Sequence, residues 1–117
     1  MSASPVSWLV GRWQSDRERT IQAWGDFPPG SADFQKLMQR DLGRLFITYD
    51  GNQSTATLGD ASTSSPYKVL WHSKDSVFLV SGSGVEESGQ HIHFESPAVY
   101  WVHAGRFVEL FSKVNGA

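Results

Sequence analysis

The sequence predicts a mainly β domain, a small antiparallel barrel of about eight short strands with one α-helix. Three observations carry that expectation. Over much of the chain, as in Gln90 to Glu95, apolar and polar residues alternate with period 2, the mark of strands that bury one face. Turn-forming runs such as Asp50-Gly51-Asn52 separate these stretches at short intervals, which favours hairpins between successive strands. The 117 residues are 39% hydrophobic and include 5 Trp, 3 Tyr and 7 Phe, enough for one dense core and too few for two. The domain is therefore residues 1–117 as a single unit.

Val6 to Val10 is a short apolar stretch that ends in Gly11-Arg12-Trp13. From Trp13 to Trp24, β-tolerant Thr20, Ile21 and Trp24 flank the charged run Asp16-Arg17-Glu18-Arg19, and the segment reads as one long strand with a bulge. Gly25 to Gly30 breaks regular structure, because Pro28 and Pro29 remove two backbone donors. A helix follows over 32–42: Ser31 can cap it, Asp33 sits in its first turn, and Phe34, Leu37, Met38 and Leu42 form one apolar stripe. Gly43 suits its C-terminal end. Leu45–Tyr49 and Gln53–Leu58 read as a hairpin across Asp50-Gly51-Asn52. Gly59 to Ser65, rich in small polar residues, reads as a loop. Tyr67–His72 and Val77–Ser81 make a second hairpin, Gly82–Gly89 a second loop. Gln90–Glu95, Val99–His103 and Phe107–Val114 complete the count, with a turn at Ala104-Gly105.

Composition excludes several classes of function. Ten basic and twelve acidic residues leave a net charge of -2, which argues against a general nucleic-acid surface. No cysteine is present, so disulfides and thiol catalysis are excluded. No run of 18 or more apolar residues is found, so no membrane-spanning helix is expected. The opening Met1-Ser2-Ala3-Ser4-Pro5 has no basic region and no apolar core, which predicts no secretory leader and a cytoplasmic location. No Gly-x-Ser-x-Gly elbow occurs, and Gly82-Ser83-Gly84 lacks the Gly-Lys-Ser/Thr of a phosphate loop, so no cofactor is implied and nothing positively signals an enzyme.

Gly11-Arg12-Trp13, opening the first strand of an antiparallel chain, resembles the calycin group, which includes lipocalins and fatty-acid-binding proteins. The order of elements looks most like small bacterial lipocalin-like domains. The resemblance implies that Trp13 plugs one end of a barrel and that a basic side chain from the last strand packs across it. Lys113 is the best-placed match and Arg106 the second. It also implies an apolar or amphipathic ligand, possibly acidic, inside the barrel.

Two constellations could carry chemistry. In His91-Ile92-His93-Phe94-Glu95, alternation puts His91, His93 and Glu95 on one face. Two imidazoles and a carboxylate are ligand types for zinc or iron(II), and such a site would make the protein a metal-dependent enzyme. Plain alternation accounts for the same pattern with Ile92 and Phe94 in the core and the other three in water, leaving no metal bound. On a regular first strand, Arg17 and Arg19 share the face of Trp13. Two interior guanidiniums need partners or an anionic ligand, whereas a bulge would turn them to solvent. The leading expectation is non-enzymatic binding of a small molecule, with Arg17 and Arg19 at its polar end and Trp13, Tyr49, Trp71 and Trp101 as apolar walls. The opposing one is a filled barrel whose exposed aromatics make a homodimer or meet a protein partner.

Overall fold

The computed structural model describes residues 4–24, 43–82, 88–104 and 107–114. The helix expected over 32–42 and the candidate Arg106 lie outside the described residues. Eight strands close a barrel in which each pairs antiparallel with the next and the last returns to the first. They are β1 (Gly11–Ser15), β2 (Leu45–Tyr49), β3 (Gln53–Leu58), β4 (Ala61–His72), β5 (Ser76–Ser81), β6 (Ser88–Ser96), β7 (Val99–Ala104) and β8 (Phe107–Lys113). Closure runs through Trp13↔Lys113 and Ser15↔Phe111, so each of the described strands has a partner on both sides. Among the described residues, two helices, α1 (Pro5–Leu9) and α2 (Arg17–Trp24), flank β1. No helix among the described residues is long and apolar enough to cross a membrane.

Period-2 alternation becomes an inside and an outside. Trp13, Tyr49, Val77, Leu79, Ile92, Phe94, Tyr100, Val102 and Phe111 are buried together with Leu9 of α1. Aromatic rings pack the end nearest β1. Trp13 lies 4.6 Å from Tyr100 and 5.9 Å from Phe94, and Tyr100 stacks on Phe111 at 5.0 Å. The indole N–H of Trp13 donates to the Leu9 carbonyl at 2.8 Å, so this buried ring leaves no polar atom unsatisfied.

Two expectations are corrected. The long strand from Trp13 to Trp24 is instead the five-residue β1 followed by α2. Asp16 makes the difference: its Oδ1 accepts the Arg19 N–H at 3.1 Å, and its carbonyl accepts the Thr20 N–H at 3.0 Å. This is N-cap chemistry, and it outweighs the β-tolerance of the residues that follow. The loop at Gly59–Ser65 is instead a two-residue turn and the start of β4, paired through Thr57↔Ser62, Ala56↔Thr63 and Thr55↔Ser64. Gly59 supplies the positive φ of +62° that this turn needs, and the Ser/Thr run is long enough to complete a ladder with β3. Apart from these, the expected hairpins form, and Asp50 Oδ1 holds the β2–β3 turn by accepting the Asn52 and Gln53 N–H groups.

Candidate functional site in the barrel interior

The aromatic packing does not fill the barrel. Toward β3 and β4 the inward side chains become small, and a cavity of about 220 Å³ remains among β2, β3, β4, β5 and β6. Its apolar lining is Ile47, Tyr49, Ala56 and Leu79, and interspersed with these are the polar Ser54, Thr63, Ser65, Ser81 and Gln90. Register explains the grouping. Tyr49↔Ser54, Ser54↔Ser65 and Ile47↔Ala56, Ala56↔Thr63 form two cross-strand rows on the inner face, and Leu79↔Gln90 continues the lining on the other side. None of the nine lining residues carries a formal charge at neutral pH.

Tyr49 seals the boundary between cavity and core. Its ring meets Tyr67 edge-on at 5.3 Å, and its hydroxyl interacts with that of Tyr100. Burial pushes the Tyr49 phenol up to about 12, and it also raises Tyr100 well above its ordinary range. Both are therefore neutral hydrogen-bonding groups at physiological pH. Beyond them, Ser15 Oγ donates to Glu109 Oε2 at 2.6 Å, which holds an inward carboxylate at the packed end. Lys113 Nζ lies 5.3 Å from the Trp13 ring centre and donates to the Trp8 carbonyl at 2.8 Å. This is the arrangement the resemblance implies for Trp13 and Lys113.

The other expected site residues lie elsewhere. Arg17 and Arg19 sit exposed on α2, outside the barrel, with Arg19 Nε 3.2 Å from Asp16 Oδ2. They cannot hold the polar end of an interior ligand, because the chain turns into a helix before reaching them. Trp71 and Trp101 are on the outer face. Trp101 alternates with the inward Tyr100 and Val102, and a register shift between Val69 and Trp71 leaves Leu70 55% and Trp71 53% exposed. The interior residues that sequence reasoning missed are Ile47, Ala56, Leu79 and the five polar ones. Alternation already marks Ile47 with Tyr49, the expected loop at Gly59–Ser65 hides Thr63 and Ser65, and the others stand in expected strands with no signal that they line a cavity.

His91, His93 and Glu95 share the outer face, with Ile92 and Phe94 buried behind them. The histidines are built into a stack: His91 and His93 ring centres are 4.0 Å apart, and His93 lies parallel to Trp101 at 4.0 Å. Trp71 and Phe78 flank His91 edge-on. No group of three metal-ligating side chains occurs among the described residues.

A broader depression of about 480 Å³ lies outside the barrel beside Gln14, Asp16, Arg17, Arg44 and Ser112. Several of its polar groups are already engaged within the fold. Asp16 accepts from Ser112 and pairs with Arg19, and Gln14 Nε2 donates to the Gly43 carbonyl. The interior cavity is the better candidate, since its polar side chains make no hydrogen bond to protein among the described residues. No family model, no curated protein and no solved structure matches this chain.

Proposed function

We propose that this protein is a non-enzymatic binder of a small amphipathic molecule, built on a calycin-like barrel. One observation carries the reading: the barrel keeps a cavity of about 220 Å³ whose lining intersperses apolar side chains with uncharged polar ones. An eight-stranded barrel can be filled by its own side chains or can hold one small ligand. Here the large aromatics gather at the β1 end, and small residues leave the remainder open. The Trp13–Lys113 plug supports the calycin-like reading, because it closes one end and leaves the interior accessible from the other.

Ligand-dependent stability tests this. A panel of small amphipathic compounds should contain some that raise the thermal midpoint saturably, worth about 2.7 kcal/mol at a hundredfold excess over Kd. Ala56→Phe, which places a ring in the cavity, should abolish the shift while leaving the far-ultraviolet circular dichroism unchanged. Absence of any saturable shift, or a shift that survives in Ala56→Phe, would remove the interior as the site. The exposed Leu70 and Trp71 would then favour the protein-interaction reading.

A further inference from the structure

We propose that the barrel cavity selects uncharged, single-ring-sized molecules bearing a hydroxyl or amide, and discriminates against carboxylates and long acyl chains. The proposal rests on the reading of this cavity as a binding site and names the class of ligand that it takes. Three observations converge on it.

The first is charge. Among the described residues, no lysine, arginine, aspartate or glutamate lines the cavity. Among the described residues, the inward Glu109 and Lys113 are at the packed end and are committed there, Glu109 to Ser15 and Lys113 to the Trp8 carbonyl. Arg17 and Arg19 are on α2, outside. A carboxylate entering the cavity would shed water and meet no cation, an uncompensated desolvation.

The second is hydrogen-bonding capacity. Among the described residues, the side chains of Ser54, Thr63, Ser65, Ser81 and Gln90 make no hydrogen bond to protein. Hydroxyls both donate and accept, and the Gln90 amide does so with separate atoms, so together they suit an alcohol, phenol or amide. The neighbouring Ile47, Ala56 and Leu79 can bury its hydrocarbon part.

The third is size. The cavity corresponds to about seven water volumes at roughly 30 Å³ each. That accommodates one ring with a short substituent. A twelve-carbon chain exceeds this volume and would have to extend beyond the cavity.

A matched series of probes sharing one ring tests the proposal on the full chain. Benzyl alcohol and benzamide are the uncharged polar members, benzoate and benzylammonium the charged ones, toluene the apolar one, and laurate the long-chain acid. Titrations at pH 7 followed by backbone amide shifts should show saturable changes for benzyl alcohol and benzamide at Ser54, Thr63, Ser65, Ser81 and Gln90. Benzoate and benzylammonium should bind at least tenfold more weakly, and laurate should leave these residues unmoved. Ser65→Val should weaken benzyl alcohol several-fold without weakening toluene, a result that loss of fold cannot mimic. If benzoate or laurate binds in the cavity as well as benzyl alcohol, the selectivity proposed here is overturned while the cavity stands as a binding site. If no probe, toluene included, moves the cavity residues, the binding reading itself falls and takes the selectivity with it.

Discussion

At the scale of single residues, the Gly11-Arg12-Trp13 opening has a physical reason visible only in three dimensions. Gly11 holds φ at +139°, and a Cβ there would stand 2.7 Å from Lys113 Cε. A lysine stem usually swings away from such a clash at little cost. This one is pinned, because its Nζ donates to the Trp8 carbonyl and rides over the Trp13 ring. Gly11→Ala should therefore destabilise the protein by about 1–3 kcal/mol from backbone strain, with a further loss from displacing Lys113. In a Lys113→Ala background the same substitution should cost measurably less, and the difference isolates the clash. Equal costs in both backgrounds, measured by chemical denaturation, would show that Lys113 does not confine Gly11. The residues foreshadowed Trp13 and Lys113 as partners only through resemblance. Nothing local in the sequence reports that β8 returns to lie beside β1, since that pairing depends on every hairpin in between.

Among the elements, β6 is the one whose two faces were most legible, and its outer face yields a pH dependence. The His93 imidazole is held below its ordinary value of 6.5, chiefly by burial and then by repulsion from His91 and His103, with Asp75 acting in the opposite direction. A histidine whose folded-state value is depressed favours the fold while neutral. That contribution is present above the unfolded-state value of about 6.5 and is lost as pH falls through the lower folded-state value. The denaturation midpoint should thus decline as pH drops from 7 toward 5. His93→Phe, which keeps a ring against Trp101 and removes the proton site, should flatten that decline; an unchanged slope would clear His93 of the effect. Strict alternation in a run with buried β-branched and aromatic residues made β6 readable. Two other elements were not readable for a shared reason: short polar side chains serve opposite structures. Asp16 caps α2 instead of continuing β1, and Ser62, Thr63, Ser64 and Ser65 extend β4 instead of forming a loop. The cavity wall was hidden with them, because the serines that line it carry no hydrophobic signal.

Considered as a whole molecule, the barrel is unevenly built, and this links its stability to its proposed function. The buried aromatics Trp13, Phe94, Tyr100 and Phe111 come from β1, β6, β7 and β8, whereas β3 contributes inward Ser54 and Ala56 and β4 contributes Thr63 and Ser65. Apolar area removed from water stabilises by roughly 25 cal/mol per Å², so the aromatic side carries most of the hydrophobic stabilisation. Ala61 to Ser64 are exposed along β4, and none of the β3 residues they pair with is fully buried. Opening free energy should therefore be lowest at β3 and the first half of β4 and highest around Trp13, Ile92 and Tyr100. Native-state hydrogen exchange reads this directly. Amides of Gln53–Leu58 and of residues 61–65 should exchange at least tenfold faster than those of Val77, Ile92, Tyr100 and Phe111, through an opening that leaves the aromatic side closed. Low protection there would give a ligand its way in, and a bound ligand should slow exchange at β3 and β4 first. Uniform protection in all eight strands would mean that the barrel opens only as a unit, and that the cavity is reached without local unfolding of β3 and β4.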